Sequence, residues 1–471
     1  MTEIRDLDGA ATLHAYRDRT LSPREVVADA LARIDRYGPD LDAFVLVDRD
    51  GAMEAAAASE ARWARGEPRG PLDGVTVTVK DNIAWAGHPM RRGSLTTADT
   101  PAAENAPIVD RLIEAGAIPL AKTTMPEFGW KGLGDSTHTG STRNPWDTRT
   151  TTGGSSAGAA AAAALNLGLL HIGTDGAGSI RIPAAFCGIY GLKPSFGRVP
   201  AFPPSPFGPV AHLGPMTRGV RDAALMMQAI AQPDPRDMAA SLVAPPDYLA
   251  GLEDGVRGLR VAWSPRLGFA TTVDPEVARL TEAAARRFAD LGAIVEEADP
   301  GFSDPVETLN GIWLVGAWCV LRAIPEEKRG LVEPALTAAA ERGREIAAPD
   351  FVAALNARGA LFTAMARFHR TYDLLLTPSL ATPAFTAGHL TPPDGPFGDD
   401  WLNWTPFSYP FNLTGQPAAT VPCGLTEAGL PVGLQIVGPM GADARVLAAS
   451  RAVEAAHPWP VLAEPRVTHR A

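Results

Sequence analysis

Cysteine is scarce: Cys187, Cys319 and Cys423 are the only three in 471 residues, and no two stand as Cys-x-x-Cys. An odd, scattered set of this kind excludes a disulfide framework and a thiolate zinc site, and each thiol is expected to be a small buried apolar group. Long apolar runs are missing as well. None reaches the roughly 18 residues of a membrane span, and Met1 to Asp6 carries no apolar leader core, so the cytoplasm is the default expectation. Positive charge is in deficit, with 42 Lys and Arg against 53 Asp and Glu for a net −11. Without clustered cations a phosphate backbone has nothing to grip, which argues against nucleic acid and for a small neutral substrate. No metal or cofactor is expected.

At 46% hydrophobic and 20% charged residues the chain has an ordinary globular composition. Its length allows two or three domains or one large α/β domain with insertions. Ser22-Pro23-Arg24-Glu25 predicts a helix start with a capping box, and Val27, Leu31 and Ile34 continue it at helical spacing. Residues 43–47 read as a buried strand and 51–65 as a helix. From Val75 to Lys80 the pattern alternates strictly, with three valines on one face and Thr76, Thr78 and Lys80 on the other. Lys80 therefore ends a strand on its polar face. A helix over 108–113 and a strand over 118–121 follow, and Pro119 fits only at that strand's start or at an edge.

This β/α alternation predicts an α/β fold whose sheet is covered by helices. The alanine run from Ala157 to Leu167 reads either as a tightly packing helix or as a low-complexity linker, and the patterned strand after it favours the helix. Pro200 to Pro209 reads as a proline-rich surface loop. Strands near 258–263 and 293–296 flank a helix over 275–291. Residues 307–323 and 334–362 look helical. Residues 378–412, dense in Pro, Gly and aromatics, are too long for a plain connector and suggest a functional loop. Strands at 420–422 and 433–437 and a helix over 442–456 end the pattern.

Chemistry concentrates between Thr151 and Gly197, where Gly153-Gly154-Ser155-Ser156 and Gly176-Ala177-Gly178-Ser179 set serines among glycines. Glycine lets the backbone approach a substrate and aim successive N–H groups one way, as an oxyanion hole requires. Gly154-Ser155-Ser156-Ala157-Gly158 also matches a nucleophile elbow with Ser156 as nucleophile and His369, His389 or His457 as base. That elbow must follow a strand, and residues 144–150 look like loop. Taken alone, Lys80 would be a solvated surface lysine.

In combination, Val79-Lys80-Asp81, Gly153 to Ser156, Gly173-Thr174-Asp175, Gly178 to Pro183, Phe186-Cys187-Gly188 and Gly191-Leu192-Lys193-Pro194 resemble the amidase signature family, in that family's order. Asn412 to Ala418 and Gly429 to Gln435 match too, while 202–372 match weakly. The resemblance implies a single large domain with a mixed central sheet covered by helices on both faces. It would comprise an N-terminal helical segment over 1–70, a core over 71–471 with a variable insertion at about 200–372, and an active-site loop at about 378–412. It also implies a Ser-Ser-Lys triad of Ser179, Ser155 and Lys80, in which Ser179 forms an acyl-enzyme and Ser155 relays its proton to an uncharged Lys80.

Backbone N–H groups of Gly176, Ala177, Gly178 and Ser179 would hold the oxyanion, each good donor being worth about 3 kcal/mol. Asp175 and Arg181 would shape this loop, and a cis peptide bond is expected at Gly154–Ser155. Ala177 stands where the family commonly has glycine, which questions any need for positive φ there. Met125, Phe128 and Trp130 lie where the family has part of its acyl pocket, and Trp404, with Trp401, Phe407 and Tyr409, lies in the late loop. These aromatics suit an apolar or aryl amide, or else glue the loop to the body. The expected activity is hydrolysis of such an amide, with esters and carbamates open, by a monomer or homodimer. The competing expectation is the glutaminase-type subunit of a tRNA-dependent amidotransferase.

Overall fold

The alternating valines and threonines form the strand Thr76–Lys80, and every residue of it is buried. Val77 and Val79 enter one apolar core while the threonines and Lys80 face the other way. The same division recurs across the sheet: Leu374 and Leu376 join that core, and Leu375 joins the opposite one. A period of two thus builds two cores on one sheet. The computed structural model describes residues 3–462 and 464–467, so Met1 and Thr2 of the opening segment lie outside it.

The sheet has eleven strands and is mixed, as expected. Named by first residue, their order is Phe44, Ile118, Thr76, Leu170, His212, Tyr190, Ala418, Pro431, Leu374, Arg260 and Ile294. Thr76–Lys80 runs parallel to both neighbours, and the centre from His212 to Leu374 is antiparallel. One core is covered by the helices Pro23–Leu41, Val306–Ala323 and Ala348–Phe368, the other by Pro107–Glu114, Val220–Ile230, Pro275–Asp290 and Asp443–Ala456. No helix among the described residues is long and apolar enough to cross a membrane.

The first 70 residues also give the sheet its edge strand, Phe44–Val47, paired with Ile118–Thr123. The capping box forms, with Ser22 accepting from Glu25 N–H and Glu25 accepting from Ser22 N–H at 2.8 Å. Pro119 is second in its strand, where the register slips between Val77 and Thr78, so the missing N–H falls at an irregularity. The alanine run is the helix Ala157–Ala164, buried throughout. A Cβ on its Gly158 would come 2.1 Å from Ala43 O, so only the smallest side chains permit this approach.

Several expectations change. The helical stretch after Pro334 breaks into Pro334–Arg344 and Ala348–Phe368, with Pro349 in the first turn of the second, where its absent N–H does no harm. Of residues 144–150, which look like loop in the sequence, 147–150 lie in a short strand, Asp147–Thr151, paired with Arg143–Asn144 outside the main sheet. Cys187 and Cys423 are buried, but Cys319 is exposed.

The late loop is held down by Trp404, fully buried, stacked 5.6 Å from Phe186 and edge-on to Phe385 at 5.4 Å. Its indole N–H donates to Leu390 O at 3.2 Å. Trp404 is thus core, which is the gluing reading of the loop aromatics. Trp404→Ala is expected to destabilise the protein by about 3–5 kcal/mol, read as a lower denaturant midpoint in urea.

Candidate active site

Lys80, at the end of its strand, is fully buried and has three hydroxyl neighbours: Ser155 Oγ at 2.8 Å, Ser156 Oγ at 2.9 Å and Thr174 Oγ1 at 2.8 Å. Burial drives its pKa well below the ordinary lysine range, and Asp175 opposes that only in part. The two serines come from a turn that tolerates nothing but glycine before them. A Cβ on Gly154 would lie 1.9 Å from Leu133 O, and Gly153 has φ +66°. The Gly154–Ser155 peptide bond is cis.

Ser156 is fully engaged within the protein. Its hydroxyl donates to Thr174 O at 3.2 Å, and Thr174 N–H and Lys80 approach the same oxygen. Its own N–H donates to Ser179 O at 3.2 Å, which ties the two serine turns together. A hydroxyl so committed is a poor nucleophile, and neither Ser156 nor His369, His389 or His457 lines the cavity beside Ser155. Although the strand Asp147–Thr151 precedes the turn, the engaged Ser156 hydroxyl and the absence of these histidines from the cavity wall leave the elbow reading unsupported.

The Ser179 turn hangs from one buried ion pair. Asp175, at the end of Leu170–Asp175, meets Arg181 through two contacts of 3.0 Å, and both side chains are wholly buried. The carboxylate also accepts from Gly178 N–H at 2.7 Å and Ile180 N–H at 3.1 Å. Asn412 donates to it at 2.8 Å, and Arg181 reaches Gln435 at 2.7 Å and Ser408 O at 2.9 Å. Burial alone would raise the Asp175 carboxyl, but Arg181, Lys193 and Asn412 together hold it below the usual carboxylate range.

Asp175 and Arg181 therefore shape this loop, as expected, and the pair removes one expected donor. Gly178 N–H is taken by Asp175, so it is not free for a substrate oxygen. Among the described residues no protein group accepts from the N–H of Gly176, Ala177 or Ser179. Positive φ falls on Gly178, at +124°, and not on Ala177, which explains why alanine is tolerated there.

Ser155 and Ser179 line one cavity with Phe128, Gly129, Phe207 and Trp313. Of the four residues expected to bind substrate, only Phe128 is on its wall. Met125 is buried beneath Gly129, where an added Cβ would meet Met125 Cε and Ser155 Oγ, each at 3.2 Å. Trp130 faces away, donating to Glu333 at 3.0 Å, and acts from behind by accepting the Trp313 indole N–H at 3.0 Å. Trp404 lies in the core.

The wall that sequence reading missed comes from the weakly matching stretch. The proline-rich loop is exposed on its outer side, as a surface loop should be, yet Pro203, Pro204 and Pro206 also line the cavity. Phe207 stacks on Trp313 with centroids 4.0 Å apart. Asn82, Arg92, Thr174, Asp175, Ser205 and His212 supply the polar remainder.

Comparison with known proteins agrees with this architecture. A family model described as Amidase matches residues 25–447. An acylamidase of Rhodococcus erythropolis is 39% identical, covering 93% of each chain. A glutamyl-tRNA(Gln) amidotransferase subunit of Synechococcus sp. (strain CC9605) is 34% identical, covering 96% of each. Among solved structures, a bacterial aryl acylamidase of the amidase signature family superposes with a TM-score of 0.90 at 34% identity, covering 97% of this chain and 98% of that one. With the match spanning most of its length, the chain belongs to the amidase family and is a hydrolase of amide C–N bonds.

Proposed function

We propose that Ser179, Ser155 and Lys80 form the catalytic triad of an acylamidase acting on an apolar or aryl amide. The observation that carries this reading is a buried lysine amine, with no carboxylate bonded to it among the described residues, 2.8 Å from a serine hydroxyl on the cavity wall. Burial, which drives the Lys80 pKa well below the ordinary lysine range, supports an uncharged amine. Ser156 donates to Thr174 O and so accepts from Lys80, and Thr174 Oγ1, which receives Asn82 Nδ2 at 3.2 Å, lies 2.8 Å from the amine. A neutral amine that turns its two N–H groups to these two oxygens keeps its lone pair for the Ser155 proton.

Ser179 Oγ attacks the amide carbon while its proton passes to Ser155 and the Ser155 proton passes to Lys80. The oxygen that becomes negative is met by the N–H groups of Gly176, Ala177 and Ser179. The C–N bond breaks as the proton returns along the relay to the leaving nitrogen. Water then adds to the acyl-enzyme ester by the same path, releasing the carboxylic acid and restoring Ser179.

The apolar wall of Phe128, Phe207 and Trp313 favours acyl or aryl groups, in keeping with the acylamidase and aryl acylamidase relatives. The relative from the amidotransferase keeps glutaminase activity as the competing reading. Release of nitroaniline from p-nitroacetanilide by the purified chain supports the first reading. Activity confined to glutamine and to a complex with partner subunits supports the second.

Ser179→Ala is expected to lower turnover by more than about a thousandfold, measured in a continuous anilide assay beside the wild type. The pH profile follows from the lowered Lys80 pKa. Only the free amine can take a proton, so kcat/KM should fall as pH drops through that depressed value, with the acid limb well below the ordinary lysine range. Lys80→Ala should lose about a hundredfold or more at neutral pH. Retention of most activity in that variant would rule out the relay.

A further inference from the structure

One charged group on the cavity wall has no bonded counterion among the described residues. Three wall residues can carry charge: Arg92, Asp175 and His212. Asp175 is matched by Arg181. Burial and nearby Lys193 keep the His212 imidazole neutral. Arg92, half-buried, makes no side-chain hydrogen bond and no ion pair among the described residues, whereas its neighbour Arg91 pairs with Asp99 at 3.2 Å. Asp81 acts on Arg92 only through space, its carboxylate being occupied by the N–H groups of Arg91 and Gly93 and by Lys122 at 3.7 Å.

The Arg92 backbone is fixed on the reacting side of the cavity. Its carbonyl accepts from Phe128 N–H at 2.8 Å, and Phe128 adjoins Gly129, which abuts Ser155. On the other flank, Asp81 grips Arg91 and Gly93 directly after Lys80. A Cβ on Gly93 would lie 2.4 Å from Met125 O, so this turn has little room to shift. Arg92 thus lines the same cavity as both serines, on a backbone that is held in place.

A partly desolvated guanidinium without a bonded partner gains when an anion meets it, and its fork matches a carboxylate. The overall charge of −11 favours neutral substrates at long range, but the local wall decides recognition, and its uncompensated charge is positive. We propose that Arg92 binds a carboxylate carried by the substrate, so that the preferred amides are anionic, with an apolar body against Phe207 and Trp313. This rests on the cavity being the site of amide hydrolysis.

Two matched pairs test it from either side of the scissile bond: succinyl against butyryl p-nitroanilide, and 4-acetamidobenzoate against acetanilide. In the wild type, the charged member of at least one pair should have kcat/KM higher by about tenfold or more, mainly through KM. Arg92→Gln should reduce that ratio by about tenfold, Arg92→Lys should restore part of it, and added salt should weaken it. Calorimetric binding of the same four compounds to Ser179→Ala reads the preference without turnover. Tighter binding of a charged member supports the Arg92 assignment even if none is hydrolysed, in which case the triad reading fails alone. Equal or weaker binding and turnover of both charged members, or a ratio unchanged in a folded Arg92→Gln, overturns the assignment. Should Arg92→Gln not fold, the ratio in Arg92→Lys decides, and no change there counts against it.

Discussion

The buried pair of Asp175 and Arg181 is the constraint on which the rest depends, because it does two things at once. Mechanically it gathers the end of a central strand, the turn bearing Ser179, the late loop through Ser408 and Asn412, and the strand Pro431–Val437 through Gln435. Electrically it sets the Asp175 charge against Arg181. A lone carboxylate so close would pull the Lys80 pKa upward, and its influence is indeed in that direction. Neutralised by a bidentate partner, it leaves burial as the larger effect, and the amine can remain uncharged. Removing either member of such a pair leaves a bare buried charge, which is why both halves and their ring of amide partners occur together.

Close approach likewise explains the glycines around the serines. Gly154 abuts Leu133 O, Gly178 takes a φ of +124° against Ile182 and Ser408, and Gly129 separates Met125 from Ser155. Each marks a place where the backbone lies closer to another backbone or to packed side chains than a Cβ readily allows. Ala177, between two such positions, has no such demand. The turn is specified by contacts made residue by residue, so a single alanine in a glycine-rich stretch carries information.

Much of this is legible in the sequence, for reasons that differ by residue. Val75 to Lys80 alternate, so strand, face and the direction of Lys80 follow from the pattern alone. Its burial does not, since a terminal lysine on a polar face reads equally as solvated. Tyr190–Lys193 and His212–Thr217 escape recognition as strands because Gly191, Gly214 and Pro215 look like turn residues. In the sheet, a Cβ on Gly214 would lie 2.2 Å from Leu192 O, so the glycine serves close strand packing. Position in the chain points Met125, Trp130 and Trp404 at substrate, but a loop residue's direction is set by tertiary contacts that no local pattern encodes. Trp130 meets Glu333, and Trp404 meets Phe186 and Phe385.

What catalyses and what selects are therefore written in different parts of the chain. The groups proposed for chemistry lie where the sequence repeats its family's pattern, since a proton relay demands fixed distances and admits few alternatives. The apolar wall comes from Pro203 to Phe207 and Trp313, where the match is weak, and Arg92 comes from a turn just after the motif that bears Lys80. An apolar wall needs only surface and shape, which many sequences supply, so it leaves no signature. A charge on that wall is different. It must be matched by something, and where the protein offers no match, the ligand is the remaining source. Specificity in this cavity thus rests first on its unpaired charge and only then on its aromatics.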